Sequence, residues 1–138
     1  MFQNNSVLVP TTLADAVIHL HGDGAAEAAA RRGGTAPGRW TVAAVRARSD
    51  ADLHSDVWER HADGDEVLCA MSGGFDVHVR AADGGRETVV ALTAPGSAVV
   101  VPAATWHRVS VRDPGDLLAV TRRSGTTHEH VREPGRPR

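Results

Sequence analysis

Hydrophobic and polar residues alternate along much of the chain. Phe75, Val77 and Val79 alternate with polar neighbours, and the apolar positions of residues 43–48 follow the same period of two. This period predicts β-strands with one buried face. Shorter segments rich in β-branched residues predict further strands over residues 16–21, 57–61, 66–71, 87–92, 98–101, 105–112 and 116–121.

Turns rich in glycine and proline separate these segments. Examples are Asp83-Gly84-Gly85 and Asp113-Pro114-Gly115, which favour tight reversals of the chain. About eight short strands at this spacing predict an all-β sandwich or barrel and disfavour a parallel α/β sheet. Only residues 25–32 favour helix, and because Gly33-Gly34 follows at once, we expect a loop with a turn of helix there.

The length of 138 residues fits one domain. We expect an N-terminal extension over residues 1–39 that packs on the barrel, a single barrel over 40–122, and a polar, flexible tail over 123–138. A tail folded over the barrel mouth would bring His128 to the interior as a proton shuttle, but the polar composition favours a loosely held segment.

Composition and charge exclude several classes of protein. The 17 acidic and 15 basic residues give a formal charge of -2, which disfavours a non-specific nucleic-acid binder. No apolar run approaches the ~20 residues of a membrane span. The N-terminus lacks the features of a secretory signal, and the single cysteine, Cys69, cannot form an intrachain disulfide. We therefore expect a cytoplasmic domain without nucleic-acid or membrane partners.

Two segments bring acidic and imidazole side chains to the interior of the predicted barrel. Glu59 and His61 share one face of a strand, and the polar turn that follows returns Glu66 beside them. In the second segment, His107 has the same parity as Val109, whose side chain should face inward. The two strand pairs therefore predict a cluster of two carboxylates and two imidazoles inside the barrel.

Such a cluster points to a metal ion. Burying two ionised carboxylates without a partner costs several kcal/mol each, and a divalent cation neutralises both charges. Mixed imidazole and carboxylate donors suit Fe(II), Mn(II), Ni(II) or Zn(II). Four protein ligands would leave positions open for water, dioxygen or a chelating substrate.

The two segments resemble the two motifs of the cupin superfamily in order and spacing. The matching positions are His61, Glu66 and Gly73 in the first motif, with Glu59 at its first histidine position, and Gly96, Pro102 and His107 in the second. Ala104 stands where the second motif has glycine. The resemblance implies a small single-domain cupin with a double-stranded β-helix, or jelly-roll, barrel. It also implies His61, Glu66 and His107 as metal ligands, with Glu59 as the fourth.

The resemblance implies a metal-dependent enzyme acting on a small organic metabolite. Dioxygenase-like oxygenation, isomerisation, cyclisation and lyase chemistry all suit one metal per chain inside the barrel. Glu66 or Glu59 would act as general base. The alternative is a non-catalytic cupin that binds or senses a small molecule with a structural metal or none.

The sequence also predicts a homodimer. Strand alternation directs the side chains of Trp58 and Trp106 away from the barrel interior, and we expect them to pack against the N-terminal strand or a dimer partner. With Val67, Cys69 and Met71 they would otherwise form a large exposed apolar patch.

Overall fold

The computed structural model describes residues 8–31 and 39–132. These residues form eleven β-strands and one short 3-10 turn, Asp50–Leu53, and they include no helix with the length and hydropathy needed to cross a bilayer. The strands, numbered in chain order, are β1 Ala16–Leu20, β2 Ala26–Ala30, β3 Trp40–Ala47, β4 Val57–His61, β5 Glu66–Ala70, β6 Gly74–Arg80, β7 Glu87–Leu92, β8 Ala98–Val101, β9 His107–Asp113, β10 Gly115–Thr121 and β11 Thr126–His130.

The strands form two antiparallel sheets with one hydrophobic core. The six-stranded sheet has the order β2-β1-β3-β10-β5-β8, and the five-stranded sheet has the order β11-β4-β9-β6-β7. Both sheets contribute buried side chains to the core, which contains Ala47, Leu68, Ala70, Phe75, Val77, Leu92, Val101 and Leu117. The predicted all-β jelly roll is confirmed.

Residues 26–30 form a strand, so the predicted loop with a turn of helix is wrong there. β2 pairs antiparallel with β1 over its whole length, from Ala16 opposite Ala30 to Leu20 opposite Ala26. Alanine has a high intrinsic helix propensity, but pairing with a neighbouring strand overrides a preference of this size. The remainder of the predicted N-terminal extension includes residues 1–7 and 32–38, which lie outside the described residues.

The predicted flexible tail also contains a strand. β11 pairs with β4 and places Thr126 opposite His61 and His128 opposite Glu59. On the other side of β11, Arg80 donates hydrogen bonds of 3.1 and 3.2 Å to the two carboxylate oxygens of Glu129. The prediction of a flexible segment is therefore corrected for residues 126–130, whereas residues 133–138 lie outside the described part of the chain.

Arginine side chains cover the tryptophans of the five-stranded sheet. Trp58 is only 6% exposed and lies between the guanidinium groups of Arg80 and Arg108, at 5.2 and 5.1 Å from its ring centroid. Arg60 and Arg80 lie over Trp106, each at 5.0 Å. These cation–π contacts stabilise the packing of β4, β6 and β9. In the described residues these arginines of the same sheet cover the rings, whereas β1 belongs to the other sheet, so packing against the N-terminal strand or a dimer partner stays a prediction.

The single apolar patch expected around the tryptophans does not form. Trp58 lies in the five-stranded sheet, whereas Val67 and Cys69 lie on β5 of the six-stranded sheet. The argument that one such patch requires a dimer therefore no longer holds. The homodimer itself stays a prediction.

Two turns with unusual backbone conformations fix the strands around the interior. Gly73, between β5 and β6, has a φ of 71°, and an added Cβ would lie 2.5 Å from the carbonyl oxygen of Pro114. This close approach explains why the first motif ends in glycine. Ala104, just before β9, has a φ of 61°, and its N–H donates a 2.8 Å hydrogen bond to the carbonyl of His61. The turn that leads to His107 is thus held against the end of β4.

Candidate metal centre

Three buried side chains from three strands converge between the two sheets. His61 ends β4 and His107 begins β9 in the five-stranded sheet, and Glu66 begins β5 in the opposite sheet. Their exposed fractions are 2%, 3% and 6%. One ligand atom from each residue lies within 4.8 Å of the other two. The alternation along each strand directs these side chains inward, because each has the parity of its apolar neighbours.

The Glu66 carboxylate bridges the two imidazoles. Its Oε1 lies 2.7 Å from His107 Nε2, and its Oε2 lies 3.5 Å from His61 Nε2. The two imidazole rings are tilted by 50° with centroids 5.2 Å apart. Thr121 donates a hydrogen bond from its hydroxyl to Glu66 Oε2. The carboxylate is therefore held on both oxygens and presented to both histidines.

The outer nitrogens of the two imidazoles are held by the surrounding strands. His107 Nδ1 lies 2.9 Å from the carbonyl oxygen of Thr105, which can only accept, so Nδ1 carries the proton. His61 Nδ1 lies 2.8 Å from the Thr126 hydroxyl on β11. Outer hydrogen bonds of this kind are typical of metal-binding histidines, because Nε2 can bind an ion when Nδ1 carries the proton.

His61 Nε2 faces two carboxylates and forms no well-aligned hydrogen bond with either. It is buried, and Glu59 Oε1 and Glu66 Oε2 lie 3.0 and 3.5 Å from it. A proton on the ring pairs with these carboxylates in the absence of a metal, whereas a neutral ring would direct a lone pair at them, which costs free energy unless a cation lies between. A divalent cation between His61, Glu66 and His107 would satisfy this nitrogen and replace the proton between His107 and Glu66. The residues present therefore fit a metal.

Glu59 contacts this group but does not belong to it. Its side chain is 29% exposed, and its second oxygen lies 3.8 Å from His128 Nε2 on β11. The structure thus brings all four predicted residues into one set of contacts, whereas only His61, Glu66 and His107 share a common point. His128 also reaches the site, although the sequence favoured a loosely held tail.

The charges of the site shift the pKa values of its groups in the metal-free protein. Burial alone would lower the pKa of His61, but the carboxylates of Glu59 and Glu66 raise it to about 9. Burial likewise opposes the effect of Glu66 on His107, whose pKa is nevertheless raised. For Glu66, burial would raise the pKa, but the contacts with His107 and His61 lower it. The pKa of Glu59 is lowered against the effect of burial, chiefly by His61 and more weakly by the charge of Arg123.

Glu66 and His107 of the cluster, together with Glu59, line a cavity of about 400 Å³. This volume is within the range of small-molecule sites. Aliphatic side chains from both sheets form much of the wall, and Arg123, His128 and His130 lie on the side formed by the C-terminal segment. The arrangement combines a metal-binding group with room for a small organic molecule beside it.

Sequence reasoning missed three polar contributors. Alternation along its predicted strand directs the Thr121 side chain inward, but nothing in the sequence indicates its hydrogen bond to Glu66. Thr126 and Arg123 belong to the segment expected to be flexible. Their positions depend on the pairing of β11 with β4, which joins residues 65 positions apart in the chain.

The two antiparallel sheets with the His-Glu-His group between them form the jelly roll that the sequence predicts. No protein-family model matches the chain, and no curated protein matches it. Among solved structures, the chain is similar to oxalate decarboxylase of Bacillus subtilis, an enzyme with Mn(II) centres, at 18% identity and a TM-score of 0.49 over 67% of this chain. It is also similar to hydroxypropylphosphonic acid epoxidase from S. wedmorenis in complex with fosfomycin, at 19% identity and a TM-score of 0.44 over 60% of this chain. The chain spans 23% of the decarboxylase and 42% of the epoxidase.

Proposed function

We propose that this protein is a small metal-dependent enzyme of the cupin type, which acts on a small organic metabolite. His61, Glu66 and His107 would hold one divalent transition-metal ion per chain. The observation that carries the proposal is the convergence of one atom from each of these buried residues within 4.8 Å, with both outer imidazole nitrogens already engaged.

The donor set indicates what the metal would contribute. Two imidazoles and one carboxylate with open positions are typical of non-haem Fe(II) oxygenases, and Mn(II), Ni(II) and Zn(II) accept the same donors. A bound ion would supply a Lewis acid or a dioxygen-binding centre. Oxygenation, isomerisation, cyclisation and lyase chemistry all remain compatible with this site.

Glu59 is better placed than Glu66 to act as general base. Glu66 is held by His107, Thr121 and the nearby His61, so its release from these partners would cost several contacts. Glu59 is partly exposed and lines the cavity, and its carboxylate contacts the three-residue group through Oε1, which lies 3.0 Å from His61 Nε2. Exclusion of water by a bound substrate would raise its pKa and thereby strengthen it as a base.

His128 offers a path for the proton. Its Nε2 lies 3.8 Å from Glu59 Oε2, and the residue is exposed at the cavity. A proton taken up by Glu59 would pass through His128 to solvent after a small rearrangement, since the separation exceeds a hydrogen bond. The proposed role of this chain is thus to hold the ion, position the substrate and move one proton.

Metal titration of single variants tests the ligand set. We expect His61→Ala, Glu66→Gln and His107→Ala to lower the affinity for Mn(II) or Fe(II) by more than about 100-fold, because loss of an outer hydrogen-bond partner alone costs about 10- to 100-fold. The metal affinity of the Glu59→Gln variant should stay within about tenfold of the wild-type affinity, whereas its turnover should be abolished. His130→Gln, which changes an exposed histidine of the same cavity, is the matched control.

Two results would contradict the proposal. If Glu59→Gln loses metal as severely as Glu66→Gln, Glu59 is a fourth ligand and its role as general base is wrong. A wild-type protein that binds none of the four metals favours the non-catalytic alternative. Turnover of enolisable and catecholic acids with added Fe(II) or Mn(II) then tests the enzymatic part, since tight binding of such an acid without its consumption indicates a binding or sensing protein.

A further inference from the structure

The cavity carries a positive charge that the metal site does not use. We propose that its ligand is a small organic monoanion with an apolar body, and that Arg123 binds the anionic group. This inference rests on the proposed function, because it takes the metal-binding group as one end of the same site.

Arg123 lies where a ligand in the cavity would meet it. It follows β10 and lines the cavity together with Glu59, His128 and His130. Among the residues that the structure describes, no carboxylate oxygen lies within 4.0 Å of its guanidinium. Its five N–H donors therefore remain available to a ligand, and their planar geometry matches a carboxylate.

The local charge beside Arg123 favours an anion. The carboxylates of Glu59 and Glu66 together balance the two positive charges of a divalent ion, and the histidines that bind it are neutral. The exposed Asp52 offsets the charge of Arg123 in the sum over the wall, but it pairs with a backbone N–H and forms no ion pair with Arg123. Arg123 is exposed where it lines the cavity, so an anionic group of a ligand can pair with it there.

The other charged residues of the cavity wall have partners. The exposed Asp52 accepts a 2.8 Å hydrogen bond from the backbone N–H of Arg48, at the start of the 3-10 turn. Arg108 donates a 3.2 Å hydrogen bond to Glu87 and also packs over Trp58. Neither group is therefore as available to a ligand as Arg123.

The aliphatic part of the wall defines the rest of the ligand. It is formed by Val45, Leu53, Val57, Leu68, Val109 and Leu117. Contact with these side chains favours an alkyl or aryl body, since removing apolar CH₂ groups from water stabilises binding. A highly polar dianion or a sugar would leave this wall without a complementary surface.

Calorimetric titration of the Mn(II)-loaded protein with hexanoate and with neutral hexanamide tests the inference. The two probes share their alkyl chain and differ in charge. We expect hexanoate to bind at least about tenfold more tightly, because a hydrogen bond between two charged groups is stronger than one to a neutral amide. Arg123→Gln should remove this preference and leave the binding of hexanamide unchanged within about twofold.

Arg86→Gln is the matched control, because Arg86 lies in the exposed loop between β6 and β7 and does not line the cavity. Mn(II) content is measured for each variant by electron paramagnetic resonance. The inference is overturned if the Mn(II)-loaded wild type shows no preference for hexanoate, or if this preference survives in Arg123→Gln. Neither result contradicts the metal site. If the wild type binds none of Mn(II), Fe(II), Ni(II) and Zn(II), the proposed function fails, and the inference that rests on it fails with it.

Discussion

At the scale of single residues, Ala104 has a backbone conformation that glycine would adopt more easily. Its φ of 61° is in the left-handed region, which costs an L-residue about 1–2 kcal/mol. Glycine removes this cost but loses about 0.5–1 kcal/mol through the greater entropy of the unfolded chain. We therefore expect Ala104→Gly to raise the free energy of unfolding by about 0.5–1 kcal/mol, as measured by urea denaturation.

The neighbouring Ala103 provides the control for this prediction. It lies in the same turn but is not among the described residues with positive φ, and its N–H donates a 2.8 Å hydrogen bond to Asp65. Ala103→Gly should lower the free energy of unfolding by about 0.5–1 kcal/mol, because only the entropic cost remains. Equal effects of the two substitutions would show that the conformation of Ala104 stores no strain.

The sequence predicts the site residues that follow strand alternation, and it misses those that depend on pairing. Glu59 and His61 share one face because they are two positions apart, and the same parity directs Glu66 and His107 inward. The sequence does not distinguish Glu59 from the other three, because its position outside the common point depends on side-chain geometry. Arg123 has no periodic pattern around it, so its place at the cavity follows only from the folded chain.

At the scale of strands, the predictions succeed where one face is buried. β4, β7 and β8 begin and end at the predicted residues, because their β-branched side chains favour strands and turn residues bound them. β2 and β11 lack this pattern, since one is rich in alanine and the other is almost entirely polar. All four of β2, β7, β8 and β11 are edge strands, but β2 and β11 have no strand pattern of their own and depend on pairing with β1 or β4 for their structure.

The pairing of β11 with β4 predicts that β11 contributes to metal binding. Thr126→Val removes the hydroxyl that contacts His61 Nδ1 while keeping the shape of a β-branched side chain. We expect the affinity for Mn(II) to fall by about 10- to 100-fold, as for other outer partners of metal-binding histidines. Thr127→Val, at the adjacent exposed position of β11, should leave the affinity unchanged. Identical affinities of the two variants would exclude this role of β11.

At the scale of the whole molecule, the ionised groups of the centre link stability to pH. In the metal-free protein the raised pKa values of His61 and His107 stabilise the fold below about pH 6.5, the ordinary pKa of histidine. The contribution of His61 is lost as the pH rises toward about 9, and that of His107 is lost in the same direction. The lowered pKa values of Glu59 and Glu66 stabilise the fold above about 4.5, and their contribution is lost as the pH falls. The metal-free protein should therefore be most stable between about pH 4.5 and 6.5.

Metal binding should move this maximum to higher pH. The ion replaces the protons on His61 and His107, so its stabilising effect increases as those protons are lost. For His61 alone, the rise of the pKa from 6.5 to about 9 corresponds to about 3 kcal/mol, which the metal-free protein should lose between these pH values. Melting temperatures measured by calorimetry from pH 4 to 9, with excess Mn(II) or with a chelator, test this difference. A constant melting temperature of the metal-free protein between pH 6.5 and 9 would contradict the pairing of the imidazoles with Glu59 and Glu66. Parallel pH profiles with and without Mn(II) would show that the ion binds elsewhere.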